Sequence, residues 1–384
     1  MSAGTINRGE FAIVGVGEPD TQNRVPEKTE LSMGTEALLK AADDAGIAIK
    51  DIDGWFVPGG PSPNQAGEYV GVFPSYADGG NVGAVSPIAM VGHAMAAINA
   101  GYCSVAAVLH TQLSRSGPRG GGGGDTSSTI GGQFIAPYGI EGEYSRHGMV
   151  ANRYNQTYGT EMSGFAELAV SNRKWAQLHP RAAYTDPMTV EDVLNARILS
   201  WPITLPMVCP VLDNASAIII TSADRAKDMN KKPVSILGFT QEFEMSIDFK
   251  EDLLDWEMIR KSGEKLFPMA GVSHNDIDLV QTHDCFIPVP ILEVEGLGFC
   301  EKGEGLAFVA DGRTAPGGDF PMNTNGGGLS YSHSGSFGLA SICDTVEQLR
   351  GESGPRQITD ANIGLVTGSG GGFTTNTSII LTNQ

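Results

Sequence analysis

Four short polar clusters in the last third of the sequence contain the side chains best suited to acid-base chemistry. They are His283-Asp284-Cys285-Phe286, Asn323-Thr324-Asn325-Gly326-Gly327, Tyr331-Ser332-His333 and Gly368-Ser369-Gly370-Gly371-Gly372. Each lies at or near the end of an apolar run, where side chains leave a rigid scaffold and can converge on a substrate. Histidines with a thiol and a phenol can polarise a carbonyl group and move protons.

The composition limits the class of protein and its partners. The chain has 384 residues, of which 41% are hydrophobic, and this length predicts two halves or two domains. The 44 acidic residues outnumber the 25 basic ones, and the net charge of -19 disfavours nucleic acid and anionic membrane surfaces. The sequence shows no basic and apolar leader and no run of 18 apolar residues, so we expect a cytoplasmic protein. The five cysteines are scattered without a C-x-x-C pair, and no metal site is predicted.

An internal repeat predicts the architecture. Ala45-Gly46-Ile47 followed by Asp51-Ile52-Asp53 recurs 225 residues later as Ala270-Gly271-Val272 followed by Asp276-Ile277-Asp278. Each copy precedes an apolar run, a pattern typical of a helix, a turn and a buried strand. Strands and helices alternate in both halves. We therefore expect an α/β fold in which two mixed sheets are covered by helices.

The repeat also sets the expected domain boundaries. Residues 1–113 and 207–230 form the N-terminal half, residues 231–384 form the C-terminal half, and residues 114–206 form an inserted loop or lid. The insertion begins with a glycine-rich run, Pro118 to Asp125, which lacks the lysine of a nucleotide loop and is expected to be a mobile or partner-contacting loop. The aromatic and basic series from Tyr144 to Arg181 is a candidate to receive an anionic cofactor head. Solvated helix faces explain any one of its residues equally well.

The order and spacing of the polar clusters resemble the thiolase superfamily, specifically the sterol-carrier-protein type of thiolase. The resemblance in motif covers the chain from His283 onward, and before that point it is one of layout. It implies a thiolase fold with duplicated halves in five αβαβα layers and an inserted loop domain. It also implies a homodimer that binds acyl-CoA, with coenzyme A as part of the substrate and no tightly bound cofactor.

The resemblance further implies roles for individual residues. His283 and His333 match two histidines that donate hydrogen bonds to the thioester oxygen, and Cys285 matches an acid-base thiol. Asn323 begins the family's Asn-x-x-Gly-Gly turn, which lets the backbone approach the acyl group. The residues assigned to substrate binding are Asn323, Gly326, Gly327, Ser86, Gly370 and Gly371. Cys209 is assigned a structural role.

The sequence departs from the family where the nucleophile should be. The helix expected over Pro87 to Ala100 aligns with the nucleophile helix of thiolases and puts the cysteine position at about Ala84. Ser86 is the only nearby nucleophile, but it lacks an adjacent base and fits better as the N-cap of this helix. Gly368 stands where other thiolases have a second cysteine. A cysteine acyl-enzyme is therefore not expected.

A site without the nucleophile still fits a reaction that passes through an enolate. Thiolase-like retro-aldolases, which cleave steroid side chains as CoA thioesters, lack the nucleophile in this way. They work with a small zinc-ribbon and OB-fold partner, which implies a heterotetramer. Tyr331 matches one of their tyrosines, and His283 stands where the other is expected. Tyr331 and His283 are thus candidate bases, His333 the oxyanion donor and Cys285 the proton donor to the enolate. An acyltransferase with another nucleophile and a non-catalytic acyl-CoA-binding subunit are the alternatives.

Overall fold

The computed structural model describes residues 8–59, 61–117, 130–140, 142–334 and 338–384. The strands are β1 (Phe11–Gly17), β2 (Gly54–Phe56), β3 (Tyr76–Asp78), β4 (Val105–Leu113), β5 (Ile198–Ser200), β6 (Ile203–Thr204), β7 (Asp213–Ser222), β8 (Val234–Phe243), β9 (Leu279–Gln281), β10 (Ile363–Gly370) and β11 (Thr375–Thr382). The helices are α1 (Glu30–Ala45), α2 (Pro63–Val70), α3 (Ser86–Asn99), α4 (Ile130–Phe134), α5 (Gly142–Tyr158), α6 (Met162–Gln177), α7 (Val190–Leu194), α8 (Ala223–Ala226), α9 (Glu257–Ala270), α10 (Pro288–Gly296), α11 (Gly305–Val309), α12 (Gly327–Ser330) and α13 (Leu339–Arg350). The glycine-rich run Pro118 to Asp125 lies outside the described residues.

One large mixed sheet joins the two halves. Its strand order is β3-β2-β4-β7-β1-β8-β11-β10-β9, so the N-terminal strands lie on one side and the C-terminal strands on the other. The halves meet where β1 pairs with β8 in an antiparallel arrangement through Ala12 with Ser235 and Ile13 with Val234. The two sheets expected from the sequence therefore form one continuous sheet, because β1, the first strand of the N-terminal half, pairs with β8, the first strand of the C-terminal half.

The internal repeat is confirmed in the backbone. Helix α1 ends at Gly46 with φ of 71°, and α9 ends at Gly271 with φ of 62°. A short 3-10 turn and a buried strand follow in both copies. Asp53 accepts hydrogen bonds from the backbone at the start of β4, and Asp278 does the same at the start of β10. The repeated aspartate thus ties two neighbouring strands together in each half.

The helices lie in three layers around the sheet. Helix α1 packs on the N-terminal strands and α9 on the C-terminal strands. Helices α3 and α13 lie between the halves and contact strands of both, and their residues Ile88 and Ile342 belong to one shared core. This arrangement agrees with the expected αβαβα order. Among the described residues, no helix combines the length and the apolar character needed to cross a membrane.

The described part of the inserted segment is mainly helical. Val150 and Tyr154 of α5, with Phe165 and Leu168 of α6, are buried in the same core as α10. Their spacing of three or four residues puts them on one face of each helix. The segment expected as a loop or lid is therefore packed against the C-terminal half and can contribute side chains to the site.

Candidate active site

A cavity of about 280 Å³ lies where the two halves and the inserted segment meet. The N-terminal half contributes Ala84, and the inserted segment contributes Glu143 and His147. The remaining lining residues come from the C-terminal half and are His283, Cys285, Phe286, Val289, Ser369, Gly370, Gly371, Gly372 and Phe373. Two of the four polar clusters, those around His283 and Gly370, therefore face one cavity.

The structure brings the two histidines of the site together. His283 follows β9, and His333 follows α12, yet their Nε2 atoms are 3.4 Å apart. The rings are nearly parallel, with an interplanar angle of 8° and centroids 5.7 Å apart. Both residues are buried.

Hydrogen bonding fixes which nitrogen of His283 carries the proton. His283 Nδ1 is 2.6 Å from the backbone oxygen of Ser369, and a carbonyl oxygen only accepts, so Nδ1 is the donor. Burial lowers the pKa of His283 to about 4, which leaves the ring neutral at pH 7. Nε2 of His283 is therefore a hydrogen-bond acceptor. In this tautomer Nε2 of His283 can accept a hydrogen bond but cannot donate one.

His333 supplies the complementary group. Burial and the neighbouring His283 lower its pKa to about 3, so this ring is also neutral. A hydrogen bond between the two Nε2 atoms then requires the hydrogen on His333, because Nε2 of His283 has none. The pair consists of one acceptor and one donor at neighbouring positions.

The Asn-x-x-Gly-Gly turn holds the His283 segment in place. Asn323 Oδ1 accepts a hydrogen bond from the backbone N of Thr282 at 2.7 Å. The buried carboxyl group of Asp284 accepts hydrogen bonds from the backbone N of Gly328 at 2.7 Å and of Leu329 at 3.1 Å. Burial raises the pKa of Asp284 to about 6, although these hydrogen bonds oppose the shift. The Asn323 side chain thus bonds to both the backbone and the hydroxyl group of Thr282, the residue before His283.

Gly327 is expected to tolerate no side chain. A Cβ atom there would lie 2.1 Å from Asp284 Oδ2, and its φ of 64° is already unfavourable for other residues. Gly312 has a similar φ of 74° but open space around it. We expect Gly327→Ala to lower the free energy of unfolding by about 3 kcal/mol and Gly312→Ala by about 1 kcal/mol. Urea denaturation of both variants measures the difference, and equal losses would show that Asp284 moves aside without cost.

Tyr331 is turned toward a different part of the protein. Its hydroxyl group donates a hydrogen bond to Glu18 Oε2 at 2.8 Å, and Arg181 binds the same oxygen at 2.9 Å. Burial raises the pKa of Tyr331 well above its ordinary value. Tyr331 and His333 both line a second, small cavity of about 20 Å³. His283 does not line it, so the structure does not bring the two candidate bases together.

Cys285 lies beside His283 in the main cavity. Its Sγ atom is 3.8 Å from His283 Nδ1. Burial, reinforced by the neighbouring Cys209 and Asp284, raises its pKa well above the ordinary value for a thiol. Cys285 therefore keeps its proton at pH 7, which suits a proton donor better than a nucleophile. The backbone N of Cys209 donates to the Cys285 carbonyl oxygen at 2.9 Å, in line with the structural role expected for Cys209.

Ala84 and Ser86 occupy different environments. Ala84 lies in the cavity wall with His283 and Cys285. Ser86 is buried, and its hydroxyl group donates to the carbonyl oxygen of Gly83 at 2.6 Å. Helix α3 begins at Ser86, one residue earlier than expected, with Val85 as its N-cap. Ser86 is therefore the first residue of the helix, and its hydroxyl group is bonded to the preceding turn.

The glycines near the C-terminus allow the halves to approach closely. A Cβ atom at Gly370 would lie 2.8 Å from the backbone N of Ala84. A Cβ atom at Gly83 would lie 2.3 Å from the backbone N of Gly371. These glycines therefore bring the Ala84 loop against the end of β10 and close one side of the cavity.

The structure adds three residues in or beside the cavity, namely His147, Glu143 and Glu293. His147 lies flat on Phe286, with ring centroids 3.8 Å apart, and burial lowers its pKa to about 3. Glu143 also lines the cavity and pairs with Arg146. The third residue, Glu293, is a buried acid in the otherwise apolar first part of α10. The sequence carried a signal for Glu293, since an acidic residue within an apolar helix is expected to be buried. A buried acid rarely occurs without hydrogen-bond partners. Within the described residues, no group of acidic, histidine or cysteine side chains forms a metal site.

Comparison with known proteins identifies the family. Residues 241–383 match the model of the thiolase C-terminal domain-like family. The chain is 31% identical over 362 residues to the 17-hydroxy-3-oxo-4-pregnene-20-carboxyl-CoA lyase of Mycobacterium tuberculosis, covering 90% of this chain and 92% of the relative. The chain belongs to the thiolase superfamily. This result confirms the family expected from the motifs that begin at His283.

Two further relatives show the range of this superfamily. An acetyl-CoA acetyltransferase of Methanothermobacter thermautotrophicus is 37% identical over 229 residues, which cover 59% of this chain and 60% of the relative. The solved structure of an Ltp2-ChsH2(DUF35) aldolase is 27% identical and superposes with a TM-score of 0.89, covering 99% of both chains. The chain is thus similar both to proteins named as a lyase and an aldolase and to one named as an acetyltransferase.

Proposed function

We propose that this protein is a thiolase-like lyase that cleaves a β-hydroxyacyl-CoA by a retro-aldol reaction, without a cysteine acyl-enzyme. The observation that carries the proposal is the methyl side chain of Ala84 in the cavity wall, at the position aligned with the thiolase nucleophile. The same cavity retains a base, His283, and the donor His333, which lines the neighbouring small cavity, has its Nε2 atom 3.4 Å from Nε2 of His283. The names of two similar proteins, a lyase and an aldolase, support the same reaction class.

The spacing of the histidine pair suits a β-hydroxy thioester. In a folded conformation of such a substrate, the hydroxyl oxygen and the carbonyl oxygen lie about 3 Å apart, within hydrogen-bond distance. The two Nε2 atoms are 3.4 Å apart, so each nitrogen can contact one oxygen. His283 then accepts from the hydroxyl group, and His333 donates to the thioester carbonyl oxygen.

The reaction follows from these two contacts. His283 Nε2 takes the hydroxyl proton, the C–O bond becomes a carbonyl group and the bond between Cα and Cβ breaks. The electron pair of that bond moves into the thioester, and the resulting enolate oxygen is stabilised by the His333 N–H group. The products at this stage are a ketone or aldehyde and the enolate of a shorter acyl-CoA.

Cys285 is the proposed proton donor to the enolate carbon. It lines the same cavity as His283 and keeps its proton until a stronger base forms. After the reaction His283 carries an additional proton and Cys285 lacks one. Return of the Nε2 proton to the Cys285 thiolate restores the resting state, whereas transfer from Nδ1, which is 3.8 Å from Sγ, would leave His283 in the other tautomer.

The proposal includes the substrate class and the assembly. Since the relative from Mycobacterium tuberculosis is named for a steroid acyl-CoA, we propose a steroid or similarly bulky acyl group for this chain. The similar aldolase is named with a DUF35 chain, which supports a zinc-ribbon and OB-fold partner, with two copies of each chain in a cytoplasmic heterotetramer. Coenzyme A enters as part of the substrate, and no tightly bound cofactor is proposed.

Two other functions make different predictions. The similarity to the acetyl-CoA acetyltransferase favours acyl transfer, which needs a nucleophile such as Ser86 or one of the cysteines. Intact mass of the protein after incubation with acyl-CoA would reveal the corresponding adduct. A non-catalytic acyl-CoA-binding subunit would leave the activity of the purified complex unchanged when His283, Tyr331 and His333 are substituted together.

A panel of β-hydroxyacyl-CoAs tests the proposed function. The protein is incubated with each substrate, with and without a candidate DUF35-type partner, and the CoA thioesters are identified by mass spectrometry. We expect a shortened acyl-CoA and an equal amount of ketone or aldehyde from at least one steroid substrate. Transfer of the intact acyl group to another CoA or acyl-CoA, with release of the first CoA as a thiol, would instead support the acyltransferase.

The pH dependence of cleavage reports on the base. His283 acts only in its neutral form, and burial lowers its pKa to about 4, so it remains competent at every pH above that value. We expect kcat/KM to be flat from about pH 6.5 to 7.5, to change near pH 6 only as far as Asp284 takes up a proton, and to fall through the His283 titration with an apparent pKa near 4. Circular dichroism at each pH separates this loss from unfolding. A midpoint near 6.5, the ordinary histidine value, would contradict a buried neutral base.

A further inference from the structure

Glu293 is a buried acid beside the histidine pair, and the proposed chemistry does not use it directly. It lies on α10 among apolar neighbours, and its side chain has no solvent exposure. Its Oε2 atom accepts a hydrogen bond from the backbone N of His283 at 3.0 Å. Its Oε1 atom accepts one from Ser369 Oγ, also at 3.0 Å. One carboxyl group therefore connects the segment after β9 with the end of β10.

The same two residues form the bond that sets the tautomer of His283. The Ser369 carbonyl oxygen accepts from His283 Nδ1 at 2.6 Å. Glu293, His283 and Ser369 thus form a closed ring of three hydrogen bonds, in which each bond restricts the atoms of the next. Without Glu293, the pairing of β10 with β11 still holds Ser369, but the His283 backbone loses its bond to α10 and the distance between Nδ1 and the Ser369 carbonyl oxygen is less restricted. The imidazole can then place its hydrogen on Nε2, and in that tautomer Nε2 accepts no proton from a substrate.

We propose that Glu293 is a positioning residue that keeps His283 in the tautomer with its lone pair on Nε2. The inference rests on the proposed role of His283 as the base, but the tautomer itself can be measured without substrate. Burial of an acid in an apolar helix is unfavourable unless hydrogen bonds compensate it. The two contacts of Glu293 both lead to residues that hold the His283 ring.

The neutral form of Glu293 explains which substitution should preserve its role. Burial raises the pKa of Glu293 well above its ordinary value, which favours the protonated acid. A protonated acid and a glutamine amide have nearly the same shape, and each offers one carbonyl acceptor and one hydrogen donor. Glu293→Gln can therefore accept from the His283 backbone N with its amide oxygen and donate to Ser369 Oγ with its amide NH2 group, which reverses the second bond, whereas Glu293→Leu removes both contacts.

The matched control lies two residues further along the same helix. Glu295 is also hydrogen bonded, to the Tyr154 hydroxyl group and to the backbone N of Gly305 at 2.8 Å. It does not line the cavity that His283 lines. Glu295→Leu removes a carboxyl group from α10 and disturbs the packing of the inserted segment, but it leaves the His283 and Ser369 contacts intact.

Nitrogen-15 NMR of histidine-labelled protein tests the tautomer directly. The chain has seven histidines, and a His283→Asn sample assigns the His283 signals. We expect Nδ1–H in the wild-type protein, in Glu293→Gln and in Glu295→Leu, and a mixture of tautomers in Glu293→Leu. A folded Glu293→Leu variant with the wild-type tautomer would overturn the inference.

Kinetics of the complete complex provide the second readout. We expect Glu293→Leu to lower kcat at least about tenfold with KM changed less than about threefold, and Glu293→Gln to restore kcat to within about threefold. Equal loss of kcat in Glu293→Leu and Glu295→Leu would indicate a general packing effect and contradict the inference.

If Glu293→Leu does not fold, Ser369→Ala provides a second variant, because it removes one bond of the ring. An unchanged tautomer and an unchanged kcat in Ser369→Ala would also contradict the inference. A tautomer change in a protein that cleaves no β-hydroxyacyl-CoA would support the inference and reject the proposed function.

Discussion

Replacing His283 with alanine is expected to lower kcat for β-hydroxyacyl-CoA cleavage by about 10² to 10⁴-fold, the usual contribution of a general base. The hydroxyl proton must leave before or while the carbon–carbon bond breaks. Among the described residues, His283 is the cavity-lining group whose bonding leaves an acceptor nitrogen 3.4 Å from a second histidine. Steady-state kinetics with the substrate identified by the panel measure the loss.

The control for this variant is another histidine bonded to a backbone carbonyl. His274 contacts the carbonyl oxygen of Leu297 at 2.8 Å and packs on Phe267 and Phe299, away from the cavity. His274→Ala should lower stability without lowering kcat of the folded protein. If His283→Ala retained more than about a tenth of wild-type kcat, another group would have to be the base.

Replacing His333 with alanine is expected to lower kcat/KM by about 10² to 10³-fold, the typical cost of losing one oxyanion donor. The loss should extend to a partial reaction, the exchange of the α-hydrogen of the product acyl-CoA in deuterated water. That exchange needs the enolate but no hydroxyl proton transfer. His333→Ala should therefore impair both reactions.

His93 is a suitable control for His333. Its ring is partly exposed on α3 and pairs with Asp78 at 2.8 Å. His93→Ala is expected to leave both reactions unchanged. A His333→Ala variant that loses cleavage but exchanges the α-hydrogen at the wild-type rate would assign the enolate oxygen to another donor.

The parts of the fold that depend on local sequence could be predicted. The repeated Ala-Gly followed by Asp-Ile-Asp marks a helix end, a left-handed glycine and a buried strand, and Gly46 and Gly271 have the positive φ angles that this pattern requires. The continuous sheet could not be predicted, since it depends on two residue pairs between β1 and β8. For the inserted segment the sequence left a lid and solvated helix faces open, and the structure shows helices α5 and α6 there.

The site was predictable in its residue types but not in its hydrogen bonding. Family order predicted that His283 and His333 act together, and the structure places their rings in contact. The partner of Tyr331 is Glu18, 313 residues away in sequence, and the partner of His283 Nδ1 is Ser369, 86 residues away. Such long-range pairs decide which nitrogen is a base and which tyrosine faces substrate. No spacing rule within one segment contains that information.

The most direct test of the account is a single turnover of a cleavable β-hydroxyacyl-CoA, with products and intact protein mass measured on the same sample. The account predicts a shortened acyl-CoA and its ketone or aldehyde in equal amounts while the mass of the chain stays that of the unmodified protein. An acyl adduct on the chain that forms and decays at the rate of product formation would contradict it, because carbon–carbon cleavage would then proceed through a nucleophile that the cavity around Ala84 was inferred to lack.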